Sequence, residues 1–89
     1  MKERYFIIES KPVDWNNKQW YRVRELSKDK YNTPEEAIID YLRYVTKVLN
    51  EGGFYSKTMF RMTEKEGCKT IKHTLLIDGI KTKDDIKAN

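Results

Sequence analysis

The sequence predicts an α+β domain in which one helix packs on one face of an antiparallel sheet, in the chain order ββαββ. Three observations carry this. A stretch with helical period, capped at both ends, occupies the middle of the chain between Thr33 and Gly52-Gly53. Segments rich in aromatic and β-branched residues lie on either side of it. Turn-forming residues then divide each flanking region in two. Eighty-nine residues make one domain, because a second core would leave neither half enough area to bury. Residues 1–81 are assigned to that domain and 82–89 to a C-terminal tail that frays.

The elements follow in order. Arg4-Tyr5-Phe6-Ile7-Ile8-Glu9 reads as the first strand, closed at Ser10-Lys11-Pro12 because proline cannot continue a ladder. Pro12-Val13-Asp14-Trp15-Asn16-Asn17 forms a turn, and residues 19–26 form the second strand of a hairpin. Thr33-Pro34-Glu35-Glu36 supplies an N-cap hydroxyl, a proline at the first helical position and a glutamate at the third. Ile38, Tyr41, Leu42, Val45, Val48 and Leu49 then repeat at helical spacing, which predicts a helix over 34–51. On its outer face Asp40 is placed to pair with Arg43 or Tyr44, and Ile39 stands well away from the apolar stripe. Residues 54–63 alternate as a third strand, and Glu64-Lys65-Glu66-Gly67 turns the chain. Residues 69–77 form the fourth strand. Asp78-Gly79 is a tight-turn signal, so the sheet has four strands, or five if residues 80–82 fold back.

Composition narrows the function classes. The chain is 38% hydrophobic and 36% charged, against about 25% charged in an ordinary globular domain. Eleven aromatic residues (two Trp, six Tyr, three Phe) speak against disorder. A net charge of +4 and a pI near 9.2 attract polyanions. The single Cys68 makes no internal disulfide, which suits a reducing compartment. No apolar stretch approaches the ~20 residues that span a bilayer, and the start carries no apolar leader core. A cytoplasmic protein is expected.

Catalysis finds little support. His73 is the only histidine and Cys68 the only cysteine. Five residues apart on one regular strand, they point to opposite faces. The ordinary reading of each is a structural strand or turn residue. One Cys and one His do not make a zinc set. Glu64 and Glu66 flank a turn, where solvated acids are common. Gly52-Gly53 follows a helix, so their amides form no phosphate cradle at a helix N-terminus. A non-enzymatic protein with no cofactor and no small-molecule substrate is the expectation.

The informative feature is the sheet face that the helix leaves uncovered. Strand alternation puts Tyr21 and Val23 on the covered face, with Trp20, Arg22 and Arg24 opposite. It puts Phe54, Thr58, Phe60 and Met62 inward, with Tyr55, Lys57, Met59 and Arg61 outward. It sends Ile71, Leu75 and Ile77 inward and Thr70, Lys72 and Thr74 outward. The open surface then comprises Trp20, Arg22, Arg24, Tyr55, Lys57, Arg61 and Lys72, with Trp15 in the first turn as a further contact. Bases stack on aromatic rings while cations engage phosphates, so RNA or single-stranded nucleic acid is one expected partner. The same residue types are enriched at protein interfaces, so a protein-binding inhibitor is the other. A homodimer is expected in either case. A slip of one residue in register would invert these faces.

The string Tyr31-Asn32-Thr33-Pro34-Glu35-Glu36-Ala37-Ile38 resembles the strand-to-helix junction of small bacterial and phage α+β domains, HicB-like antitoxins among them. The Lys- and Tyr-rich composition looks like that of phage early proteins. The absence of catalytic groups, with the interface-type residues Trp15, Ile39 and Met59, makes a phage-encoded regulator of a host nuclease or toxin the form the protein-binding expectation takes.

Overall fold

The computed structural model of the chain describes residues 3–13 and 19–85. Its elements are β1 (Arg4–Pro12), β2 (Tyr21–Arg22), α1 (Pro34–Asn50), β3 (Thr58–Glu66) and β4 (Lys69–Ile80), followed by a single 3-10 turn at Lys83–Asp85. The four strands form one antiparallel sheet in the spatial order β2-β1-β3-β4. The fold is the α+β arrangement ββαββ that the sequence predicts.

α1 starts where its cap requires. Thr33 has extended backbone and its hydroxyl accepts the Glu36 N–H at 3.2 Å, satisfying one of the donors a helix start leaves open. Ala37, Tyr41, Val45 and Leu49, at four-residue spacing, are buried against the sheet. The stripe is narrower than the sequence implies, because Leu42 is half exposed. At the other end Gly53, with φ of +100°, turns the chain and donates its N–H to the Val48 carbonyl at 2.9 Å.

β1 lies inside the sheet, and its run Tyr5 to Ile8 is buried on both faces. Phe6 and Ile8 meet Tyr41, Val45, Phe60 and Met62 in the main core beneath α1. Tyr41 and Phe60 pack edge to face with centroids 5.3 Å apart. Pro12 continues β1 instead of ending it. Even-numbered residues of β1 direct their backbone groups away from β3, as Phe6 and Ile8 do, and β2 ends at Tyr21 before reaching Pro12. The missing proline N–H therefore breaks no ladder bond.

Three strand boundaries depart from expectation. β2 pairs with β1 only through Tyr21 and Arg22, because the chain then leaves the sheet and Tyr31 takes over that edge of β1. Tyr31 and Phe6 exchange two backbone hydrogen bonds at 2.8 Å. β3 starts at Thr58 and runs through Glu64-Lys65-Glu66, leaving Gly67-Cys68 as the turn. Asp78-Gly79 does not reverse the chain, and no fifth strand forms among the described residues. β4 continues instead to Ile80, which pairs with Thr58 and is buried in the core. Burial of a whole isoleucine, about 1.5–3 kcal/mol, outweighs a local turn preference. The tail is ordered as far as Asp85, whose carboxylate accepts the Lys81 and Thr82 amides at 2.7 and 2.9 Å. No helix among the described residues is long and apolar enough to cross a membrane.

Candidate binding surface

Cross-strand pairing defines the face opposite α1 row by row, since directly opposed residues share a face. One row runs Arg22, Glu9, Arg61, Leu75 across β2, β1, β3 and β4. The next runs Ile7, Thr63, His73, and the third Tyr5, Lys65, Thr70. Lys11 and Met59 form the row on the far side of Glu9. Trp20 sits over this corner, with the Arg61 guanidinium 4.3 Å and the Lys11 ammonium 5.4 Å from its ring centroid. At the opposite corner the Lys30 ammonium lies 4.6 Å from the ring of Tyr5.

A chain of polar contacts runs through the centre. Arg61 Nε donates to Glu9 Oε1 at 2.8 Å, and the Thr63 hydroxyl donates to the same oxygen at 2.7 Å. Thr63 Oγ1 also lies 2.8 Å from His73 Nδ1. The hydroxyl has one proton and Glu9 takes it, so His73 Nδ1 is the protonated nitrogen and donates to Thr63. Burial raises the affinity of Glu9 for a proton. The hydrogen bonds from Thr63 and Arg61, with the charges of Arg61 and His73, outweigh that and hold its carboxyl below the usual range.

The charge on this face is one-sided. Lys11, Arg22, Lys30, Arg61 and Lys65 stand in or beside its rows, and Glu9 is the carboxylate within the paired rows. Four acids are engaged elsewhere: Arg4 bridges Glu64 and Glu66 at 3.3 Å on the helix side, Lys28 holds Glu36, and Asp40 is engaged by Ser27, Tyr31 and Arg43.

Of the residues the sequence assigned to this surface, Trp20, Arg22 and Arg61 come together on it. Lys57 lies one residue before β3, where its carbonyl accepts the Val13 N–H at 2.8 Å. Three do not join the face. Arg24 lies in the turn after β2. Tyr55 is fully exposed in the loop after Gly53. Lys72 pairs with Glu64 and shares the helix side. Its inversion comes from irregular pairing: the register steps between Glu64 and Lys65, leaving Ile71 unpaired, and again between Phe60 and Arg61. The same steps turn Thr74 to the helix side and leave Leu75 and Ile71 exposed, at 53% and 40%. Trp15 lies outside the described residues. Ile39 is exposed and Asp40 approaches Arg43 at 3.9 Å, as the helical spacing implied.

The residues missed are Lys11, Lys30, Lys65, Thr63 and His73, together with Glu9. Glu9 and Lys11 carried a legible signal, the polar end of an alternating strand. The apolar run before them hid its parity. Cys68 is exposed in the β3–β4 turn, and among the described residues no three His, Cys, Asp or Glu converge as metal ligands. No family model, curated protein or solved structure matches the chain.

Proposed function

We propose that the protein binds RNA or single-stranded nucleic acid on the open sheet face, as a binding protein and not as an enzyme. The carrying observation is the clustering of cations: five of them, two packed on Trp20, share a face on which Glu9 is already bonded to Arg61 and Thr63. Paired carboxylate–arginine contacts hold Arg61 in place without covering its neighbours. Aromatic rings and long cations on a sheet are the means by which single strands are held with little sequence preference.

The test is fluorescence anisotropy with an unstructured labelled oligonucleotide across a salt series. If four cations engage phosphates, log Kd changes with log salt at a slope near 2.8, at about 0.7 per phosphate, so binding weakens roughly fifty-fold between 50 and 200 mM. Affinity that ignores salt removes the reading.

A second reading is favoured by Ile71 and Leu75, which stand exposed on β4, the long outer strand. They suit a protein contact, either a second copy of this chain or a toxin or nuclease that the protein neutralises. Light scattering distinguishes the homodimer: Leu75→Lys converts a dimer to a monomer if β4 is the interface, and a wild-type monomer rules that form out.

A further inference from the structure

A recess of about 350 Å3 opens at the edge of the sheet, where residues 23–30 leave β2 and the chain returns to β1 at Tyr31. Its frame is tied down on every side. Val23 N–H donates to the Ile8 carbonyl at 3.2 Å, and Tyr31 N–H to the Phe6 carbonyl at 2.8 Å. Midway, Ser27 bonds to Asp40 of α1, and Lys28 reaches Glu36 at 3.1 Å. Its lining is mixed: Leu26 offers apolar surface beside the buried Ile8 and Val23, while Arg22, Arg24 and Lys28 bring cations and Asp29 a carboxylate. Lys28 is committed to Glu36. Arg22 and Arg24 form no ion pair among the described residues.

Two guanidinium groups beside a hollow of mixed polarity match a phosphate joined to a ring that carries polar groups. The volume stands at the low end of the ~300–1,000 Å3 range of small-ligand sites, which suits one nucleotide. Arg22 also belongs to the open face, in the row with Glu9 and Arg61, so the recess and the face adjoin. We propose that the recess receives one nucleotide of a strand lying on the open face, with its phosphate on Arg22 and Arg24 and its base against the partly exposed Leu26. Asp29 accepts a hydrogen bond from an exocyclic amine, which cytosine carries and uracil lacks. The inference rests on the nucleic-acid reading of the face and adds to it a position where a base is distinguished.

Two measurements separate the inference from that reading. In the first, isotope-labelled protein is titrated with CMP, UMP and inorganic phosphate while its amide resonances are followed. CMP is expected to move the amides of residues 22–29 at lower concentration than UMP, and phosphate to move fewer of them. In the second, oligo-C and oligo-U are bound to the wild type and to Arg24→Ala, Asp29→Asn and Trp20→Ala. Arg24→Ala weakens oligo-C binding about five- to tenfold, as loss of a charge-assisted contact to phosphate does. Asp29→Asn brings the two oligonucleotides together, while Trp20→Ala weakens both and keeps their ratio. Arg24 and Asp29 are exposed, so these variants retain the fold, and the remaining amide spectrum verifies it. Oligonucleotide binding that Arg24→Ala leaves unchanged, or identical shifts from CMP and phosphate, overturns the nucleotide recess and leaves the open face standing. If neither oligonucleotide binds, the reading of the face falls, and the CMP titration alone decides the recess.

Discussion

Glu9 is the acid within the paired rows of the open face, and its role there is positional. It holds Arg61 at 2.8 Å and Thr63 at 2.7 Å, and Thr63 in turn orients His73. Replacing Glu9 with alanine leaves a half-buried guanidinium and a buried hydroxyl without their acceptor, at a cost of about 2–3 kcal/mol. Urea denaturation at neutral pH measures this. The carboxyl titrates below its ordinary value in the fold. Its contribution is therefore present above about pH 4.5 and is lost as the pH falls further, through the folded-state value. Glu9→Gln should flatten that part of the acid unfolding curve. Tyr31 gives the opposite sign. Burial, then the hydrogen bond to Asp40 and its negative charge, push its hydroxyl up to about 12. The unfolded chain loses this proton near pH 10, so stability falls as the pH rises from about 10 to 12. Tyr31→Phe removes that alkaline loss, which is visible in pH-dependent circular dichroism. It also leaves Asp40 one donor short.

At the scale of elements, α1 is the part most nearly written in local sequence. Thr33→Ala removes the acceptor of the Glu36 amide and should destabilise the protein by about 1 kcal/mol. The end of the helix depends on a longer-range fit. A side chain at Gly53 would meet the Lys81 carbonyl, which accepts the Phe54 N–H at 2.6 Å, and the φ of +100° disfavours it independently. Gly53→Ala should therefore cost roughly 2–3 kcal/mol, most of it by loosening the junction between the α1–β3 loop and the end of β4. The strands behave differently. Gly79, with φ of +147°, lets β4 pass through an irregular step and deliver Ile80 to the core. A turn signal there is overridden by burial.

At the scale of the whole molecule, the placement of charge matters more than its sum. Lys65→Glu and Lys72→Glu change the net charge equally, but Lys65 pairs with Tyr5 and Thr70 on the open face while Lys72 pairs with Glu64 on the helix side. If the open face binds nucleic acid, Lys65→Glu should weaken binding about tenfold at low salt and reduce the salt slope by ~0.7 or more. Lys72→Glu should leave affinity nearly unchanged. Equal effects from the two would mean that only overall charge acts, and the face would lose its special status.

The fold class, the helix with both caps, and the alternation along β2 and β3 were legible in the sequence, because each depends on groups within a few residues of one another. Trp20 and Arg22 fall on the expected face for that reason, as does Arg61 between the buried Phe60 and Met62. Which strands become neighbours, and which side chains meet across them, only the tertiary structure decided. Arg61 and Glu9 are 52 residues apart in sequence, and their contact depends on β1 lying between β2 and β3. The steps in β3–β4 pairing that turned Lys72 away and brought His73 to Thr63 arise from the need to bury Ile77 and Ile80 together with Phe60. Local pattern sets the two faces of a strand. Burial summed over the whole sheet selects the register that decides which face meets the core.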